Sequence, residues 1–309
     1  MSKIYFRKKL LLAKLEVTHG TDSVPTGAAN AIQTKDLTIS PIESTVLDLG
    51  LDKPNFGSNL GTLLGQHVMI TFKVPVAGSG AAGTAPAWAP LVKACAFQET
   101  VAAGVSVTYA PLDDDPPSLS MYVNVDGVLH KITYARGSFK TTTDNKNYPW
   151  FEFTFLGLFT TPIAGAMPVP VFTPWIKPLP FRAPTVVGSV IGIAVPMFSL
   201  TIDAGQKVEY YETSEEQSVQ ITDRTATFQT EFEEPDIATH NYYADIVAET
   251  TGALSYVHGV TAGNIVTFSG AASQITKVTR GNQQGVATLQ VSGPLVYSGA
   301  TPDLTIVAT

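Results

Sequence analysis

The residues from which a metal centre would be built are five histidines (His19, His67, His130, His240 and His258) and a single cysteine, Cys95. Their spacing offers no centre. There is no H-x-H pair and no H-E-x-x-H helix, and a structural zinc site needs more thiolates or imidazoles in close sequence groups. Asp113, Asp114 and Asp115 precede Pro116 and Pro117 and supply oxygen ligands of the kind calcium takes, but no EF-hand loop follows. Three adjacent carboxylates before prolines read as a solvated turn. Glu209, Glu212, Glu215 and Glu216, with Glu231, Glu233 and Glu234, hold enough carboxylates for a glycosidase pair. On a strand, however, Glu231 and Glu233 share one side, which makes them part of an acidic face exposed to solvent or lining a cavity. Residues 78–83 (GSGAAG) match a phosphate cradle in composition only, because no Lys-Ser or Lys-Thr pair follows, so they read as a flexible loop. No nucleophile elbow or dinucleotide fingerprint occurs. The expectation is a non-enzymatic chain with no catalytic, cofactor-binding or metal-ligating residues and no cofactor.

The elements that carry these side chains are predicted to be strands. Of 309 residues only 15% are charged while 44% are hydrophobic, and the surplus is Val, Thr, Ala and Gly rather than the Glu, Lys and Leu of helical proteins. Period-two alternation in residues 105–109 and 120–125 marks strands, and Asp126-Gly127 between 120–125 and the restart at Val128 is a hairpin signal. Two short amphipathic helices are predicted, at about 87–97 and 237–248. Trp88, Leu91, Val92 and Cys95 share one face of the first, and Ile237, Tyr242, Ile246 and Val247 mark the second. Each helix is expected to cover a sheet.

Seven prolines fall between Pro162 and Pro184, a density that neither a helix interior nor a central strand tolerates. They divide the chain into a first domain (1–160), a linker (161–185) and a second domain (186–309). The linker also carries Val169, Val171, Phe172, Trp175, Ile176 and Phe181, so it is expected to lie against a protein surface. The two halves repeat one order of elements. Leu37-Thr38-Ile39 matches Leu200-Thr201-Ile202, residues 68–74 match 226–232, and the closing strand series match if Gly157 corresponds to Gly293. The offsets are 163, about 158 and 136 residues, the last reduced by extra loop residues in the first half. Each half reads as a β-sandwich or half-barrel with one flanking helix.

The charge of −7 is confined to the second half, since residues 1–165 hold 13 basic and 13 acidic side chains and residues 166–309 hold 6 and 13. Such a balance argues against gripping nucleic acid, whose affinity comes from Lys and Arg at phosphates. One cysteine cannot form an intrachain disulfide. The basic N-terminus lacks an apolar run long enough for a signal peptide, and no 18-residue apolar window predicts a membrane anchor.

Several segments resemble the tail tube (major tail) proteins of long-tailed bacteriophages. They are residues 12–32 (LAKLEVTHGTDSVPTGAANAI), 78–97 (GSGAAGTAPAWAPLVKACAF) and 126–139 (DGVLHKITYARGSF), followed by 221–224 (ITDR), 254–259 (LSYVHG) and 303–306 (DLTI). Two departures stand out: Ala96 where the family pattern has Gly, and an acidic, proline-rich stretch at 110–117. The resemblance implies a structural protein of the virion tail, assembled in the host cytoplasm, whose sheets join those of neighbouring copies into a barrel around a lumen. Rings stack into a tube through which DNA is ejected without specific binding. Two tube domains per chain imply a homotrimeric ring with pseudo-sixfold symmetry, with a hexamer as the alternative. The implied partners are the tape-measure, tail terminator and distal tail proteins. Within this reading Glu209, Glu212, Glu231 and Glu233 are candidates to face the lumen. Residues 40–60 (with Leu47, Leu49 and Phe56) and 203–224 (with Tyr210 and Tyr211) are candidate arms between rings. A carbohydrate-binding or adhesin module of the phage or a surface is the alternative function that a low-charge, Thr- and Gly-rich β-protein also fits.

Overall fold

The computed structural model describes residues 3–299 and 301–309. The protein is mainly β, with 21 strands and three helices of four to six residues among the described residues. Its central feature is one antiparallel sheet of eight strands. The order is Lys35–Asp48, Gly61–Pro75, Trp150–Leu158, Val128–Asp144, Met197–Asp203, Thr227–Glu233, Val286–Val296 and Lys277–Gln283. The first four strands come from the first half of the chain and the last four from the second.

Alternation explains why this sheet has one buried face. Val68, Ile70, Phe72 and Val74 point inward from one strand, Phe151, Phe153 and Phe155 from the next, and Leu200, Ile202, Phe228, Phe232, Leu289 and Val291 continue the layer into the second half. The aromatic rings interlock, with Phe72 and Phe153 5.6 Å apart and Phe139 edge-on to Phe151 at 5.7 Å. Each such ring withdrawn from water contributes about 1.5–3 kcal/mol. The opposing layers are a first-half group built on Lys9–Leu15 and Leu119–Val125, and a sheet containing Val186–Val190, Thr251–His258, Val266–Gln274 and Thr305–Ala308. The second of these also crosses the halves, because Thr305–Ala308 pairs with Ser106–Pro111. The two halves therefore share two sheets and one hydrophobic core rather than hanging from a linker.

The proline-rich stretch runs along the surface of this body. Val171 N donates to Gly27 O at 3.0 Å and Trp175 Nε1 to Ala31 O at 2.9 Å, while Phe181 is buried and exchanges backbone bonds with Lys146 and Asn147. The residues 78–83 are not the flexible loop their composition predicts. Gly80 N donates to Gly263 O, Gly78 N donates to Asn264 Oδ1, and a Cβ at Gly78 would stand 2.2 Å from Gly263 O. Here glycine permits two backbones to touch.

The helices are shorter than the sequence pattern predicts. The first is Ala89–Lys93, with Trp88, Leu91, Val92 and Cys95 all buried, and Trp88 Nε1 donates to Ala77 O at 2.7 Å. Ala96 takes a φ of +60° even without being glycine. The second is Tyr242–Val247, started late because Asn241 caps the N–H groups of Tyr243 and Ala244. It buries Tyr242 and half-buries Ile246, but Ile237 and Val247 are exposed, the latter by 87%, so the expected second face is only half used. Asp126 and Gly127 both have positive φ and form the two-residue hairpin turn, with Val125 opposite Val128.

Strand register also corrects the repeat. Thr38 lies opposite Thr71, which lies opposite Thr154; Thr201 lies opposite Gln229, which lies opposite Ser292. The first two offsets are 163 and 158 as read from the sequence. The closing strand is offset by 138, so Gly293 corresponds to Phe155 and not to Gly157.

Candidate functional site

The surface that the core does not use is the open face of the eight-stranded sheet, and alternation decides what stands on it. Lys35, Lys73, Glu152, Lys140 and Asp203 form one row across five strands. Asp144, Ser199, Glu231, Gln290 and Thr279 form a second, and Glu233 and Lys277 lie on the same side. Lys73 Nζ is 2.9 Å from Glu152 Oε1, a hydrogen bond that holds the ammonium above its usual pKa. Glu231 accepts from Thr288 Oγ1 at 2.8 Å and from Gln283 and Gln290 at 3.3 Å. Of the four acidic candidates, Glu231 and Glu233 stand on this face. Glu209 and Glu212 do not, since they belong to a separate hairpin. With four lysines beside five carboxylates, the face is mixed in sign rather than a continuous acidic wall.

The sheet has two free margins. Among the described residues, Lys35–Asp48 pairs only with Gly61–Pro75, and Lys277–Gln283 only with Val286–Val296. Each presents backbone N–H and C=O groups without a strand partner, Leu37 O being met only by Lys9 Nζ at 2.7 Å, and such an edge invites pairing with another chain.

Two hairpins project from equivalent places in the repeat. The second, Gln206–Glu212 with Gln217–Arg224, folds back across the first half of its own chain. Gln206 Nε2 donates to Cys95 O at 2.8 Å, and Arg136 Nη1 donates to Val219 O at 3.1 Å and to Gln220 Oε1 at 2.8 Å. Tyr210 stacks on His67 with ring centres 5.2 Å apart, so Tyr210 is engaged within the chain, whereas Tyr211 is exposed. The first hairpin, the outer parts of Lys35–Asp48 and Gly61–Pro75, meets the second at its base, where Tyr210 lies against Gly65 and His67, and its outer side chains stand in solvent. Val46, Leu47, Leu63 and Leu64 flank its stem and Leu49, Leu51, Phe56 and Leu60 its loop, all exposed. An apolar group of that extent on a surface marks an interaction site.

Among the described residues, the arrangement with a catalytic look is Ser118, His19 and Asp115. His19 Nδ1 is 2.7 Å from Ser118 Oγ and His19 Nε2 3.1 Å from Asp115 Oδ1. Ser118 is fully buried, and its hydroxyl donates to Glu16 Oε2 at 2.6 Å. The imidazole must then donate to the serine, the reverse of the polarity a nucleophile needs. Cys95 is wholly enclosed, and burial pushes its thiol well above the normal range, away from reactivity. Among the described residues no group of three His, Cys, Asp or Glu side chains is placed to hold a metal ion, and no helix is long and apolar enough to cross a membrane.

Arg136 and Glu16 were the residues that sequence reasoning passed over. Nothing in their spacing distinguishes them, because their partners lie about 80 and 100 residues away. No family model matches this chain, and no curated protein matches it in sequence.

Proposed function

We propose that this protein is the structural subunit of a phage tail tube, polymerising as stacked rings around a lumen lined by the open face of the eight-stranded sheet. The observation that carries the reading is that sheet itself: two four-stranded copies of one pattern, already fused edge to edge within the chain, with a free margin at either end. Closing such a sheet with further copies satisfies both margins at once. Three copies give a closed sheet of 24 strands, which at about 4.8 Å per strand has a backbone diameter of roughly 37 Å before strand tilt widens it. That leaves a pore for a nucleic-acid duplex once side chains are added. The subunit does no chemistry in this role and belongs to the virion, with DNA passing through the bore. Tape-measure, terminator and distal tail proteins would meet the ends of the tube.

Negative-stain microscopy of the purified protein at high concentration tests this directly. Uniform rings or hollow filaments with threefold or pseudo-sixfold symmetry are expected. A protein that stays monomeric at all concentrations, or binds glycans as a monomer, overturns the reading.

A further inference from the structure

The chain contains one complete example of the contact between its two repeats, and its register is known residue by residue. Met197–Asp203, the first sheet strand of the second repeat, pairs with the last sheet strand of the first repeat. Leu200 lies opposite Thr143, Thr201 opposite Thr142, Ile202 opposite Thr141 and Asp203 opposite Lys140. Crossing the same contact, the second repeat's hairpin lies over the first repeat's strands and caps Cys95 O at the helix end.

The repeat correspondence converts that contact into a second one. Leu200 to Asp203 correspond to Leu37 to Ser40 through the shared Thr38 and Thr201 positions. Lys140 to Thr143 correspond to Thr279 to Asn282, because Ser138 and Lys277 lie opposite the matched pair Thr154 and Ser292. Both sets are on the two free margins. The burial pattern agrees, since Leu37 is buried like Leu200. Pro41, which has no N–H to give, falls just beyond the segment concerned.

We infer that the margin Lys277–Gln283 of one copy pairs antiparallel with the margin Lys35–Asp48 of the next, with Ser40 opposite Thr279, Ile39 opposite Arg280, Thr38 opposite Gly281 and Leu37 opposite Asn282. The exposed outer part of the first hairpin then crosses the second repeat of that neighbour, as the second hairpin crosses the first repeat within one chain. By the same offset Glu43 takes the place of Gln206 at the helix end where Val247 stands exposed, and the apolar side chains farther out cross the strands of that neighbour's second repeat. The occupant of the hairpin is thus a second copy in the same ring, not a copy in the ring above. This inference rests on the tube reading but specifies a contact that the tube reading alone leaves open.

Cysteine cross-linking separates the two. Thr279 is exposed and Ser40 half-buried, and the native thiol is enclosed. In Ser40→Cys/Thr279→Cys, mild oxidation of assembled protein is expected to give a ladder ending in one closed covalent ring. A mixture of the two single variants should stop at dimers, which provides the same answer if the double variant folds poorly. Ser40→Cys/Lys277→Cys, two residues out of register, should cross-link at least tenfold less, because diagonal neighbours exceed disulfide reach. Preferential cross-linking of that control, or tubes by microscopy with no cross-link at either pair, overturns the inference while leaving the tube reading intact. Absence of any assembly overturns the tube reading and this inference together.

Discussion

Glu16 shows how one side chain fixes a region whose sequence gives no hint of it. Its Oε1 accepts from Ser120 Oγ and Tyr134 N, both at 2.9 Å, and its Oε2 from Gly20 N at 2.7 Å and Ser118 Oγ at 2.6 Å. Four donors converge on one buried carboxylate, joining the segment after the first strand to two others far along the chain. Glu16→Gln keeps the shape but turns one acceptor into a donor facing donors. The expected loss is about 2–3 kcal/mol, read as a lower urea midpoint at unchanged slope. A buried acid of this kind is invisible in sequence, where it sits among alternating residues like any exposed one. The hairpin turn at Asp126-Gly127 is the opposite case, because positive φ at two successive positions is a local demand that the residue types announce.

At the scale of elements, strands were legible where alternation is strict, as in residues 105–109, where Val107 and Tyr109 are buried. The helices are shorter than their apolar periodicity predicts, the second because Asn241 caps it and so starts it late. The arms were legible as segments but not as behaviours. Polarity does not reveal that one hairpin is clamped to its own chain and the other is not. The clamp is Arg136, which is almost fully buried and reaches across to Val219 O and Gln220. Arg136→Ala leaves buried carbonyls without donors and is expected to destabilise by about 3–5 kcal/mol. It should open the 206–224 hairpin to limited proteolysis before any other segment is cut. Cleavage that begins elsewhere would show that the hairpin is held by its apolar contacts instead.

For the whole molecule, the charge imbalance between the halves was legible, but its distribution over faces was not. On the one open face three lysines and two carboxylates of the first half meet one lysine and three carboxylates of the second, so a bore lined by that face would be only weakly acidic. Replacement of both Glu231 and Glu233 by Lys reverses the sign of its second-half portion. Tube formation should survive, while genome release measured as DNA appearing outside triggered particles should slow. An unchanged release rate would show that the bore's charge is irrelevant to passage. The repeat itself was readable from Leu37-Thr38-Ile39 and Leu200-Thr201-Ile202. At its far end glycine spacing aligns Gly157 with Gly293, whereas strand register, which only pairing reveals, aligns Phe155 with Gly293.

The pairing of Thr305–Ala308 with Ser106–Pro111 sets a clock on biosynthesis. Tyr109 waits for Ile306, about 200 residues later, and translation at about 5–20 residues per second takes roughly 10–40 s to cover that distance. Throughout that interval the nascent chain exposes an unfinished outer layer, and for most of it the strands that form the far margin of the inner one are also missing. A chain still on the ribosome therefore lacks a finished outer layer, and if the protein polymerises its polymer would draw on released chains.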